Sequence, residues 1–288
     1  MSLKASEFIQ NPDGSVYHLN LLPEQLANTV ITVGDPDRVD QVTKYFEKVE
    51  TKVHKREFHT QTGYYKGKHI SVISTGIGTD NIDIVFNELD ALVNIDFKTR
   101  EIKEQLTSLD IIRIGTSGAI QEDVPLDAFL ISEMGVGFDA LLHFYDSDKI
   151  VNTNFAKAVK EQLQLKETNG LPYAVSYNEA LGSKFHDGFL KGVTVTNCGF
   201  YGPQGRKLRL PLSMPKLNDL MASFEFEGKR ITNLEMETAG IYGLSKLLGH
   251  RAVSLNAIIA NRATGEFSAH PGETVDKLIK LSLDSLVS

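Results

Sequence analysis

Residues 110–118 read Asp-Ile-Ile-Arg-Ile-Gly-Thr-Ser-Gly, an apolar run with one arginine inside it and four small residues closing it. A continuous apolar run bounded by turn-forming residues suits a strand buried on both faces of a parallel sheet. Burying Arg113 there is costly unless negative charge is held against it. Gly115 and Gly118 permit a sharp turn, and Thr116 and Ser117 add hydroxyls at the strand end, where open α/β sheets bind ligands. The stretch therefore predicts both a buried parallel strand and a small-molecule site at its end.

Along the rest of the chain, strand-like and helix-like segments alternate without grouping. Strands are predicted at 29–33, 57–65, 69–74, 128–136, 173–177, 193–197, 231–234 and 252–260, and helices after residue 78 and over 154–165, 238–248 and 274–287. The helix after residue 78 has apolar Ile82, Val85, Phe86, Leu89 and Val93 on one stripe. This alternation predicts an α/β fold, a three-layer α/β/α sandwich around a mixed, largely parallel central sheet. No repeat, low-complexity tract or linker interrupts it, so one domain over residues 1–288 is expected. The polar stretch 98–109 reads as a helix extension or a surface insertion.

A hydrophobic content of 41% supports a substantial core, and a net charge of -7 argues against an electrostatic nucleic-acid or membrane-surface binder. Any anion must then be bound by local geometry. The lone cysteine, Cys198, excludes an internal disulfide and makes no zinc pattern, and it reads as a small packed residue. With no long apolar segment at the N-terminus, a cytoplasmic location is expected.

Four further motifs carry chemistry. Gly34-Asp35-Pro36-Asp37-Arg38 follows a β-branched strand, with Asp35 suited to cap a helix and Pro36 to its first turn. Such a turn offers backbone N–H groups to an anion, with Arg38 adding charge, or it is an ordinary strand-to-helix turn. Ser74-Thr75-Gly76-Ile77-Gly78 is a second strand-end loop. Gln204 and Arg206, in a turn-rich loop, read as a planar hydrogen-bonding pair fit for a nucleobase edge, or as a solvated polar loop. Glu235-Met236-Glu237 closes a strand, offering a carboxylate to a sugar diol or a glutamate to a helix dipole.

Together, Gly34-Asp35-Pro36-Asp37-Arg38, Arg56-Glu57-Phe58, Ser74-Thr75-Gly76-Ile77-Gly78, Arg113-Ile114-Gly115-Thr116-Ser117-Gly118, Gln204-Gly205-Arg206 and Glu235-Met236-Glu237 resemble the nucleoside phosphorylase-I family, in particular its uridine-cleaving members. The motifs match in order over nearly the whole chain. The resemblance implies phosphate-dependent cleavage of a pyrimidine nucleoside, with inorganic phosphate as co-substrate and no cofactor or metal. It implies a phosphate site from Gly34, Arg38, Arg113 and Thr116, with Arg56 supplied by a neighbouring subunit. Met236 and Glu237 would hold the ribose, joined by His18 from the partner. Ser117, Gly118, Phe200, Gln204, Arg206 and Arg262 would surround the base. The assembly would be a homo-oligomer, at least a dimer.

Asn261 stands where purine-cleaving relatives carry a proton-donating aspartate, which favours a pyrimidine. Thr79-Asp80-Asn81 departs from the Gly-Pro-Ser of the hexameric bacterial enzymes, so a monovalent-cation site is not carried over. The rival readings are a purine nucleoside phosphorylase, a nucleosidase using water, and a nucleoside sensor without turnover.

Overall fold

The computed structural model describes residues 2–185 and 187–288. Its strands are β1 (Thr29–Val33), β2 (Lys48–Lys55), β3 (Phe58–Tyr65), β4 (Lys68–Ser74), β5 (Ile95–Asp96), β6 (Glu101–Ile102) and β7 (Asp110–Ala119), followed by β8 (Phe129–Gly137), β9 (Tyr173–Ser176), β10 (Phe189–Thr196), β11 (Glu225–Phe226), β12 (Lys229–Glu235), β13 (Arg251–Asn261) and β14 (Glu266–Phe267). The helices are α1 (Asp37–Thr43), α2 (Thr79–Asn94), α3 (Thr153–Gln162), α4 (Glu179–Gly182), α5 (Leu217–Ala222), α6 (Thr238–Leu248) and α7 (Pro271–Val287).

The main sheet runs β11-β12-β10-β8-β13-β7-β1-β4-β3-β2. β4, β1, β7 and β13 are mutually parallel neighbours, as are β8, β10 and β12, and β13 meets β8 antiparallel. β12 also pairs antiparallel with β7, through Asn233 with Ala119 and Leu234 with Gly118. Five strands, β7, β13, β8, β10 and β12, therefore close into a ring, and β1, β4, β3 and β2 extend from it as an open sheet.

Helices cover both faces because both faces are apolar. On one side, Ile82, Val85, Phe86 and Leu89 of α2 pack with Ile241, Tyr242 and Leu244 of α6. On the other, Val39 and Val42 of α1 join Val275, Leu278, Ile279 and Leu283 of α7 over Ile31, Val72, Ile112 and Val253. Burying a leucine- or isoleucine-sized side chain contributes about 1.5–3 kcal/mol, so these two layers supply much of the drive to fold.

At four places the structure completes or corrects the local reading of the sequence. Of the two readings of the stretch after α2, it is a surface insertion and not a helix extension: Asp96 accepts the backbone N–H groups of Lys98 and Thr99, which turns the chain into the exposed β5–β6 hairpin. β2 was not anticipated, because its alternation of exposed and half-buried positions carries Lys48, Glu50, Lys52 and His54 on the outer face. At the start of α1 Pro36 has helical φ and ψ, and the Asp35 carboxylate accepts the Asp37 N–H at 3.0 Å, the capping bond expected of it. Cys198 is exposed, since it follows β10 into an irregular loop instead of facing a core.

Candidate active site

The ends of several strands and the loops that follow them open onto one cavity of about 740 Å³. β1 ends in the loop carrying Gly34, Asp35 and Arg38, and β4 ends in the loop carrying Gly76 and Ile77. β7 contributes Arg113, Gly115, Thr116, Ser117 and Gly118, and β12 leads into Glu235, Met236 and Glu237. The loop after β10 adds Phe200, Gln204 and Arg206.

Arg113 is the most buried of the cavity's cations, at 7% exposure, and it is not left unpaired. Its Nη2 donates to Glu237 Oε2 at 2.6 Å and lies 3.1 Å from Glu235 Oε2, while Nη1 donates to Asn256 Oδ1 at 3.0 Å. The guanidinium folds back over Gly115, where an added Cβ would stand 2.1 Å from Nη1. Only glycine leaves that room. Burial works against the Arg113 charge, and the two carboxylates more than restore it, leaving its pKa above the ordinary value.

The two glutamates divide the work that sequence left open. Glu235 caps α6: its oxygens accept the N–H groups of Glu237 and Thr238 and the Thr196 hydroxyl. Burial pushes its carboxyl up, against the pull of Arg113. Glu237 faces the cavity, bridging Arg113 and the Gly78 N–H at the start of α2. Arg38 lies nearby, its Nε buried without a partner, and burial with the like charge of Arg113 lowers its pKa.

Arg206 lies flat on Phe200, its guanidinium carbon 3.8 Å from the ring centroid, and donates to the Phe200 carbonyl and to Gln204 Oε1. Burial, with Arg262 adding a like charge, pushes its pKa down to about 10, which leaves it cationic at neutral pH. Ser117 accepts a hydrogen bond from Asn233 at 2.8 Å.

Of the residues singled out in the sequence, the cavity thus gathers Gly34, Arg38, Arg113, Thr116, Ser117, Gly118, Phe200, Gln204, Arg206, Met236 and Glu237. Three others do not line it. His18 is held on α2, its Nδ1 2.7 Å from Glu88 Oε1, and its ring meets Phe58 edge-on. Arg56 occupies the tight β2–β3 turn at φ 56° and is exposed. Those two share one flank of the chain. Arg262 lies instead in a neighbouring cleft beside Gln121, Asp123 and Asn218, with its Nη1 buried and unpartnered.

Asn261 corrects the argument built on it. Its amide is spent on the backbone, donating to the Gln121 and Val124 carbonyls and accepting from Ala263 and Thr264, and it does not line the cavity. Residues not foreseen include Asn256, which steers Arg113, and Glu57, Asn81, Ile259 and Phe267, which line the cavity. Asn256 had a signal, a lone amide inside a buried strand. Phe267 had none. Among the described residues no three His, Cys, Asp or Glu side chains converge as a metal would need, and no helix is long and apolar enough to cross a membrane.

A model of the phosphorylase superfamily matches residues 28–286. A uridine phosphorylase of Thermococcus kodakarensis is 30% identical over 269 residues, covering 91% of this chain and 83% of that protein. A DeoD-type purine nucleoside phosphorylase of Tolumonas auensis is 28% identical over 276 residues, covering 94% and 98%. Among solved structures, a Trypanosoma brucei nucleoside phosphorylase described as showing uridine phosphorylase activity superposes with a TM-score of 0.86 at 29% identity, covering 97% of this chain and 99% of that one.

Proposed function

The chain belongs to the phosphorylase superfamily, and from that premise we propose that it is a pentosyltransferase that cleaves uridine with inorganic phosphate, giving uracil and ribose 1-phosphate. The observation that carries this reading is that Arg38, Arg113, Glu237, Gln204 and Arg206, from four separated segments, line one cavity. Residues 1–288 act as a single domain, in the cytoplasm.

In this reading phosphate attacks the anomeric carbon as the glycosidic bond breaks, and the positive charge that develops on the sugar lies between the incoming dianion and Glu237. Gly34, Arg38, Arg113 and Thr116 hold the dianion. Two unit charges 4 Å apart gain about 4 kcal/mol at a protein-like effective dielectric, against about 1 in water. Within one chain Arg113 already answers two carboxylates, which leaves Arg38 as the spare cation. A dianion therefore calls for one more, and Arg56 of a neighbouring subunit supplies it, with His18 from the same flank reaching the ribose. The enzyme accordingly works as a homo-oligomer, at least a dimer.

Met236 and Glu237 hold the ribose, and Ser117, Gly118, Phe200, Gln204 and Arg206 surround the base, with Arg262 in the next cleft close enough to act on Arg206 as a like charge. Negative charge developing on the ring carbonyls is met by Gln204 and by Arg206, already aligned on Phe200. Positioning and electrostatics supply the catalysis, with no covalent nucleophile on the protein.

A second reading, cleavage of a purine nucleoside, is favoured by the DeoD-type relative, which matches over 94% of the chain. Free base released from uridine, thymidine, inosine and adenosine, with and without phosphate, separates the two. Uracil released only with phosphate is expected; purine release overturns the base, and release without phosphate overturns phosphorolysis.

A further inference from the structure

Each strand of the five-strand ring carries a polar side chain into the ring's interior, and these side chains form one continuous hydrogen-bonded chain. Ser132, Thr194, Asn233 and Asn256 have no exposed surface and none lines the cavity. Yet they link two residues that do.

The direction of every bond in the chain is fixed from one end. Arg113 Nη1 donates to Asn256 Oδ1 at 3.0 Å, and a guanidinium can only donate. The Asn256 nitrogen therefore points the other way and donates to Ser132 Oγ at 3.0 Å. Ser132 Oγ lies 2.5 Å from Thr194 Oγ1, the one acceptor left for its proton among the described residues. Thr194, having accepted, donates to Asn233 Oδ1 at 2.8 Å. That orients the second amide, whose nitrogen donates to Ser117 Oγ at 2.8 Å. Reversing the Ser132–Thr194 link would leave the Ser132 proton without an acceptor among the described residues.

We propose that Thr194 and Asn233 are positioning residues which commit the Ser117 hydroxyl to donate into the cavity. Ser117 accepts from Asn233 and its proton has no acceptor among the described residues, so that proton is left for the cavity, and the ligand atom that takes it is an acceptor such as a ring carbonyl oxygen. The inference rests on the reading above that the base lies against Ser117. It makes a charge at the phosphate end of the cavity the origin of a hydrogen-bond preference at the base.

The test is equilibrium binding of uridine by calorimetry, or of inosine if that is the nucleoside the wild type binds. It uses the wild type, Thr194→Val, Thr194→Ser, Ser117→Ala and the Ser117→Ala/Thr194→Val pair. Thr194→Val keeps the shape and leaves Ser132 bonded to Asn256, and Asn233 bonded to Thr232 and Ser117. It should weaken binding by about 3- to 10-fold, the worth of one hydrogen bond. Thr194→Ser should restore the affinity, and the double variant should bind no more weakly than Ser117→Ala alone. Additive losses, or a serine that fails to restore binding, overturn the proposal.

If Thr194→Val does not fold, 2-thiouridine and 4-thiouridine carry the test, because a thiocarbonyl accepts poorly. The wild type should discriminate against at least one of them, and Ser117→Ala should reduce that discrimination; an unchanged ratio overturns the proposal. Turnover plays no part in these readouts. The expected coupling without phosphate-dependent base release sinks the proposed activity alone, whereas turnover with additive losses sinks this inference alone. A wild type that binds neither nucleoside overturns both.

Discussion

At Arg206 a guanidinium is held flat on Phe200 while bonded to the Phe200 carbonyl and to Gln204, so its aim is set before any ligand arrives. If that aim serves charge on a ring carbonyl, Arg206→Ala or Gln204→Ala should lower kcat/KM for uridine by about 10²-fold or more, as removal of one charge-stabilising donor does elsewhere. Steady-state kinetics at saturating phosphate checks this, and near wild-type rates would remove the assignment. Asn261 leads to the opposite expectation. Asn261→Asp would set a carboxylate against the Gln121 and Val124 carbonyls, which can only accept. It should cost about 1–3 kcal/mol of stability by urea unfolding and confer no purine cleavage. The sequence made Arg113 legible because a cation inside an apolar run demands partners. It could not reveal that Asn261 turns away from the cavity, because an aspartate-to-asparagine comparison carries no information about orientation.

The elements that were legible are those with a local signature. β1 and α6 fall where β-branched residues and helical periodicity put them. The ring closure was invisible, because β7 and β12 meet through only two residue pairs whose partners lie more than a hundred residues apart. The polar chain inside the ring was hidden for the same reason: each strand offers a single hydroxyl or amide, and only the register brings them together. Glu235 shows how an element depends on one residue. Its carboxylate caps α6 and also pairs with Arg113, so Glu235→Ala should destabilise the protein by about 3–5 kcal/mol. The loss should sit at the lower end because Glu237 remains on Arg113. Guanidinium unfolding followed by circular dichroism measures it.

Across the whole molecule, surface carboxylates set the response to acid. The hydroxyls of Ser268 and Thr274 hold Asp127 below its ordinary value of 3.8, Arg230 does the same for Asp123, and Lys44 for Asp276. Such groups take up protons more readily when unfolded, so their stabilisation is full above the ordinary value and is lost as pH falls through the folded one. Glu235, pushed the other way by burial, contributes most below its ordinary value of 4.5 and less as pH rises past it. Differential scanning calorimetry of wild type and Asp127→Asn should therefore give melting temperatures that differ at pH 6 and converge as pH falls below 3.8.

β13 lies between β7 and β8 in the middle of the sheet, yet it is the last long strand in the chain. β7 and β8 are made more than a hundred residues before the strand that joins them. Until then β7 and β8 present bare, apolar edges that invite pairing with other chains. A truncation ending at His250 should accordingly partition into the pellet on expression, and nascent chains should become protease-resistant only once β13 has left the ribosome. The molecule is keyed shut by a late strand, and its order of synthesis leaves the centre of the sheet until after its flanks.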